Sequence, residues 1–163
     1  VLIETLKDVV ASLTKHGFER IYFLNGHGGN IATITAAFSE IYTETSVKGS
    51  NQPFRLKLQS WFMGGRFRNL SKELYGDSEG SHATPSEVSL SYYAFPDHVK
   101  KVVIEPKIAP KGPIRDAEDY RRRFPDGRIG SDPLLSTVAH GERIFKASVE
   151  DVAEDLKAFA DEA

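Results

Sequence analysis

The sequence predicts an α/β fold, with a mostly parallel sheet between helical layers in a three-layer α/β/α arrangement. Three observations predict it. Helical and strand-like segments alternate in the order helix, strand, helix, strand, helix, strand, helix, as they do in crossover units. Residues 20–24 form a short, mostly apolar run, as in a strand covered on both faces. That run leads through Asn25-Gly26-His27-Gly28-Gly29-Asn30 into an amphipathic stretch, a strand, turn and helix. In open α/β sheets such strand ends are where ligands bind.

Each element has its own signal. Residues 1–15 read as a helix, with Leu2, Leu6, Val9, Val10 and Leu13 on one face and His16-Gly17 ending it through a left-handed glycine cap. Residues 20–24 are the first strand. The glycines of the next turn let the backbone pass close to whatever His27 holds. Asn30 is the expected N-cap of the following helix, whose buried stripe is Ile31, Ile34, Phe38 and Ile41 and which fades over residues 43–50. Residues 54–61 alternate apolar and polar as a second strand, ending at Phe62-Met63-Gly64-Gly65. A helix over 66–74 and a polar loop over 75–81 come next. Pro85 then opens a helix that Phe95-Pro96 stops. Residues 102–104 are expected to form a third short strand. Residues 106–133 hold five prolines and read as a long loop, with a short exposed helix over the charged stretch 115–123. Residues 136–160 give the strongest helical pattern, with Phe145, Val149, Val152, Leu156 and Phe159 as its core stripe.

Composition narrows the function classes. The 163 residues are 40% hydrophobic and 27% charged, the size and make-up of one packed domain. A net charge of -2 gives no basic face for nucleic acid or an anionic membrane. The chain has no cysteine, which excludes disulfides, thiolate metal sites and thiol nucleophiles and fits a reducing, cytoplasmic setting. No apolar run approaches the roughly 20 residues of a membrane-spanning helix. The chain opens inside a helical pattern at Val1 and shows few strands for its helices. The expectation is therefore a single domain over 1–163 that is the carboxyl-terminal part of a longer one.

Two stretches carry chemistry. Imidazole and carboxylate are ligands for Zn²⁺, Mn²⁺ or Fe²⁺, and His27 and Glu87 stand at element boundaries that expose such groups. In a parallel sheet the carboxyl ends of the strands share one edge, so the two regions can converge there. His82, five residues before Glu87, suits a proton shuttle because histidine titrates near neutrality. His16, His98 and His140 read as surface residues. Asp77, Glu79 and Asp116 read as exposed loop residues with no role, and the run Arg121-Arg122-Arg123 as a solvated face or subunit contact.

In this order, Asn25-Gly26-His27-Gly28-Gly29-Asn30 and His82-Ala83-Thr84-Pro85-Ser86-Glu87-Val88-Ser89 resemble the motifs of the creatininase family of metal-dependent amidohydrolases. The second is similar to the family's histidine-alanine-glycine, two variable residues, then glutamate-threonine-serine, with the histidine-to-glutamate spacing kept. Gly17-Phe18 before the first strand and Gly130-Ser131-Asp132-Pro133 before the last helix also match, so the resemblance covers most of the chain. It implies a site with two divalent ions, a homohexamer and a small-molecule amide substrate. It casts His27 and Glu87 as metal ligands and His82 as the catalytic proton carrier. Trp61, Gly28 and Gly29 fall at positions for substrate binding.

The sequence also departs from that pattern. Thr84-Pro85 replaces the usual glycine and its neighbour, and Val88 replaces threonine. Creatininase itself has a tyrosine and a ligating glutamate at the positions of Gly28 and Gly29, which argues against creatinine as the substrate. The family's Glu-x-His and following aspartate are absent before Asn25. Two other readings therefore stand beside the hydrolase: a non-catalytic scaffold or oligomer subunit, and an α/β domain that binds phosphate or a nucleotide at the glycine-rich turn.

Overall fold

The computed structural model describes residues 1–49 and 54–162. The chain divides into two compact units, Val1–Gly64 with Asp151–Ala163, and Gly65–Glu150.

The first unit holds α1 (Leu2–Lys15), β1 (Arg20–Asn25), α2 (Ile31–Val47) and β2 (Arg55–Ser60). It also holds the end of α6 (Val138–Asp161), from residue 151 onward. β1 and β2 pair in parallel, Arg20 opposite Arg55 through Asn25 opposite Ser60, and the crossover that parallel strands require is α2. Successive strand residues point to opposite faces. Ile21, Phe23 and Leu56 accordingly pack with Val10 and Leu13 of α1 and Ile41 of α2. From the other face Tyr22 donates a 2.8 Å hydrogen bond to Asp155 and lies 5.9 Å from the Phe159 ring, while Lys57 pairs with Asp155 at 2.8 Å. Helical residues thus meet both faces of the strand pair. Leu24 departs from the expected buried run, at 60% exposed.

The end of α1 forms as its sequence predicts. The Gly17 N–H bonds the Thr14 carbonyl and the Phe18 N–H bonds the Leu13 carbonyl, both hallmarks of a Schellman cap. Gly17 has φ +87° and open space around a would-be Cβ. Gly17→Ala should therefore lose about 1–2 kcal/mol through backbone strain alone, read as a lower urea midpoint with an unchanged slope. α2 runs to Val47 instead of fading from residue 43; Ser50 lies outside the described residues. The hydroxyls of Thr43, Thr45 and Ser46 each donate 2.8 Å bonds to the carbonyl four residues back, so these poor helix formers are satisfied within the helix.

The second unit is helical: α3 (Gly65–Tyr75), α4 (Pro85–Ala94), α5 (Ala117–Arg123) and the first part of α6. Phe67, Tyr75, Ala109, Phe124, Ile129 and Ile144 are its buried apolar residues. The third strand does not form. Residues 102–104 have no partner among the described residues, and Val103 is 93% exposed. Three apolar residues between Lys101 and Glu105-Pro106 are too short an apolar run to bury a face, and proline ends any ladder. α5 is a two-turn helix capped by Asp116, whose Oδ1 accepts from the Glu118 and Asp119 N–H groups at 2.9 Å.

The stripe assigned to the core of α6 is also corrected. Phe145 is 48% exposed, and Val149 and Leu156 are exposed too. The buried positions are Gly141, Ile144, Ser148, Asp151 and Phe159. Beside Ile144 and Phe159 that face carries small and polar residues, and at Gly141 the reason is that α6 approaches α4 too closely for a side chain. A Cβ on Gly141 would sit 2.0 Å from the Ser89 carbonyl oxygen of α4.

Candidate functional site

In the first unit, the turn after β1 is organised by Asn25. This side chain is 4% exposed. Its Nδ2 donates to the His27 carbonyl at 2.8 Å and to Ser60 Oγ at 2.9 Å, while its Oδ1 accepts from the His27 N–H and from Asn30 Nδ2, both at 3.2 Å. One buried amide therefore fixes the turn and joins it to the end of β2. Sequence reasoning gave Asn25 no role. Its signal was position, the last residue of an apolar strand with a small polar partner opposite.

The turn itself is a short 3-10 helix, Gly28–Asn30, and His27 caps it. His27 has an extended backbone (φ -146°, ψ 135°), and its Nδ1 accepts from the Gly29 N–H at 3.1 Å. The expected cap, Asn30, is in helical conformation and makes no cap bond with its side chain, because the 3-10 turn moves the helix start back to His27. The imidazole is exposed. Its Nδ1 lone pair is engaged, so ligation through either ring nitrogen gives up the Gly29 bond: through Nδ1 directly, and through Nε2 because the neutral ring's proton then sits on Nδ1. Gly26, Gly28 and Gly29 have no positive φ, and a Cβ on Gly26 or Gly28 would meet nothing within 4 Å. These glycines leave open space above the turn; the backbone conformation does not demand them. A Cβ on Gly29 would lie 3.0 Å from His27 Nδ1. Trp61, half-buried at the end of β2, donates from Nε1 to the Gly26 carbonyl at 3.2 Å, so the indole and the turn are neighbours.

In the second unit, His82 and Glu87 flank a tight entry into α4. The His82 carbonyl accepts from the Ile129 N–H at 3.2 Å and from Ser131 Oγ at 2.7 Å, and its ring stands edge-on to Tyr120 at 5.9 Å. Ala83 has φ +52°, a left-handed conformation unusual for a residue with a Cβ. The conformation reverses the chain between His82, held to Ile129, and Thr84, held to α4. Thr84 and Glu87 form a capping box. Thr84 Oγ1 accepts from the Glu87 N–H at 3.2 Å, and Glu87 Oε2 accepts from the Thr84 N–H at 3.2 Å. The sequence reading took Pro85 as the helix start and missed this box, whose signal is Thr84-x-x-Glu87.

Two residues assigned to the surface are not there. His140 is half-buried, edge-on to Tyr75 at 5.5 Å, with Nδ1 buried and without a hydrogen-bond partner. Glu79 is half-buried, hydrogen-bonded through Oε1 to Ser86 Oγ, with Oε2 buried and unpartnered. Burial pushes its carboxyl above the usual range, against hydroxyl bonds, that from Ser86 foremost, that pull it down.

The donor types fit a divalent metal, but their number does not complete a site. Zinc takes about three or four protein donors. Among the described residues, no group of three or more His, Asp or Glu side chains is placed to hold an ion. No helix among them is long and apolar enough to cross a membrane.

The parallel strand pair, with the glycine-rich turn at its carboxyl end, defines an α/β protein. The chain belongs to the creatininase family: the family model described as creatinine amidohydrolase matches residues 1–156. Solved structures share the fold. A crystal structure of creatinine amidohydrolase (creatininase) is 22% identical at a TM-score of 0.79, covering 99% of this chain and 64% of that one. A creatininase variant complexed with creatine is 24% identical at 0.77, covering 97% and 64%. A manganese creatininase is 24% identical at 0.77, covering 96% and 63%. The chain thus spans just under two thirds of these relatives' length. No curated protein matches it.

Proposed function

We propose that this chain is part of a metal-dependent amidohydrolase that cleaves a small amide C–N bond. The observation that carries the reading is the exposed His27 imidazole at the end of β1, beside Trp61, in a chain of this family. In this reading His27 and Glu87 hold metal, zinc, manganese or iron, and His82 carries the proton to the leaving amine. Divalent metals, when bound, supply polarisation of a carbonyl and acidification of water. The chain's own residues do the rest. Asn25 fixes the backbone under His27. The capping box orients the Glu87 carboxylate. The Ile129 and Ser131 bonds hold the His82 backbone, so that its imidazole keeps one approach direction. Trp61, Gly28 and Gly29 border the space for substrate. Further ligands come from sequence outside this chain, the whole forms one domain, and its copies assemble as a cytoplasmic homohexamer.

A second reading, the non-catalytic family member, is favoured by one observation: His27 and Glu87 both serve local caps. Metal content separates the two. Stoichiometric metal in an upstream-extended protein is expected. Its metal affinity should fall in His27→Ala by at least the roughly 10–100-fold that loss of an outer-shell partner costs. Metal-free protein in both the extended and the present form would sink the hydrolase reading.

A further inference from the structure

One face of the strand pair changes character toward its carboxyl end. Tyr22 and Lys57 stand opposite each other on it and are covered by Asp155 and Phe159 of α6. Two residues on, Leu24 stands opposite Gln59 on the same face, and there the cover stops, because Leu24 is 60% exposed. The Trp61 N–H continues the ladder by one step, to the Asn25 carbonyl at 3.4 Å. Trp61 is therefore the next position of that face after Gln59. Leu24 and Trp61 occupy adjacent positions at the strand end, immediately before the turn that carries His27.

A single exposed leucine is ordinary; the chemistry around this one is not. The polar side chains beside the turn are committed to the turn itself. Asn25 uses both amide hydrogens and both lone pairs of its oxygen, on the His27 carbonyl, Ser60 Oγ, the His27 N–H and Asn30 Nδ2. Gln59, beside Leu24, turns its Oε1 back to the Ser60 N–H at 3.2 Å. The Gly26 carbonyl accepts the indole N–H of Trp61 at 3.2 Å. That bond and the Phe62 ring, edge-on to the indole at 5.4 Å, fix the plane of Trp61. Above the turn there is room, since a Cβ on Gly26 or Gly28 would meet nothing within 4 Å. A molecule held at His27 thus meets, on this side, a leucine side chain and the open part of a fixed indole.

We propose that Leu24 and Trp61 form a platform for the non-reacting part of the substrate, and that this part is an aromatic ring, so that the substrate class is the amides of aromatic carboxylic acids. Leu24 is then a specificity-determining residue. A flat ring covers both side chains at once and loses little conformational freedom on binding. A small polar amide covers neither, and competes for groups that are already hydrogen-bonded. That the ring belongs to a substrate rests on the hydrolase reading; the platform itself does not.

Trp61 is the one tryptophan in the sequence, so tryptophan emission reports on this face. The test is fluorescence titration with benzamide and with acetamide, on the metal-free chain and on the upstream-extended protein with and without manganese. Benzamide should give a saturable change in Trp61 emission in each. Acetamide should give only the linear collisional quenching that it gives free N-acetyltryptophanamide. Leu24→Ser should weaken benzamide binding about tenfold through lost apolar contact, and Leu24→Met should retain it. Leu24→Thr, with its higher strand propensity, replaces the serine variant should that one fail to fold. No saturation up to the solubility of benzamide, an equal response to acetamide, or unchanged affinity in Leu24→Ser would overturn the proposal. So would a response lost in the extended protein, because upstream sequence would then cover Leu24. The hydrolase reading fails separately: an extended protein that takes up no metal sinks that reading and leaves the benzamide response in place.

Discussion

Replacing Arg128 by alanine should lower the stability of the second unit by about 3 kcal/mol, because a buried cation then leaves several acceptors unmet. Arg128 is 3% exposed. Its Nη2 donates to the Pro106 carbonyl at 2.8 Å, its Nη1 to the Lys107 carbonyl at 3.0 Å and the Ser131 carbonyl at 3.4 Å, and its Nε to Asp126 at 2.8 Å. One planar guanidinium thereby ties the proline-rich loop to the strand-like stretch that holds the His82 carbonyl. Its ion pair is the lesser part. The Asp126 side chain is 44% exposed, and exposed pairs contribute about 0–1 kcal/mol. Asp126→Asn should therefore cost less than about 1 kcal/mol while Arg128→Ala costs several-fold more. Arg128→Lys keeps the charge but not the fork of donors, and should recover little. Urea unfolding of the three variants ranks them. Equal losses in Asp126→Asn and Arg128→Ala would show that the ion pair, not the carbonyl clamp, holds the loop.

The first half of the fold was legible because its signals are local. Gly17 after an apolar periodic stretch fixes the cap of α1, and the short run 20–24 followed by glycines fixes β1 and its turn. Pro85 marks the start of α4. The misread elements depend on contacts between distant segments. Val102 to Ile104 have strand-like side chains but no strand beside them among the described residues, and periodicity cannot report a missing neighbour. The α6 stripe shows the same failure in reverse. Its apolar residues at 3- and 4-residue spacing mark an amphipathic helix, yet the face it buries carries Gly141, Ile144 and Ser148 rather than Phe145 and Val149, and at Gly141 closeness of approach is the reason.

The candidate site divides along the same line. His27, Trp61, His82 and Glu87 could be named because their residue types and spacing resemble a family pattern. Asn25, Glu79 and Arg128 could not, because what matters in each is burial with particular partners. An asparagine at a strand end, a glutamate in a glycine-serine loop and an arginine after Asp-Gly all read as solvent-facing. Each becomes consequential only once the chain has folded a carbonyl, a hydroxyl or a carboxylate against it.

Gly141→Ala puts two effects of opposite sign in direct competition, and the steric one should win. Glycine within a helix is normally a weakness, and alanine there is favoured by about 1 kcal/mol. At Gly141, however, a Cβ would fall 2.0 Å from the Ser89 carbonyl oxygen, 2.7 Å from its carbon and 2.7 Å from Tyr93 Cβ. Two of these atoms are α4 backbone and cannot rotate away, so α4 and α6 must separate. Separation also strains the bonds around Ser89, whose Oγ accepts from the Thr137 N–H at 3.3 Å and is hydrogen-bonded to the Tyr75 hydroxyl at 2.9 Å. Overpacking costs about 1–3 kcal/mol when side chains can adjust; against fixed backbone the upper end applies, for a net loss near 2 kcal/mol after the helix gain. Gly65→Ala is the matched control. It lies at the start of α3 with nothing within 4 Å of a would-be Cβ, so the helix gain acts unopposed and the variant should match or exceed the parent. Thermal melts of the pair decide the matter. A Gly141→Ala protein as stable as Gly65→Ala would mean that α4 and α6 do not pack at this distance, and with it would fall the account of why α6 carries glycine at residue 141.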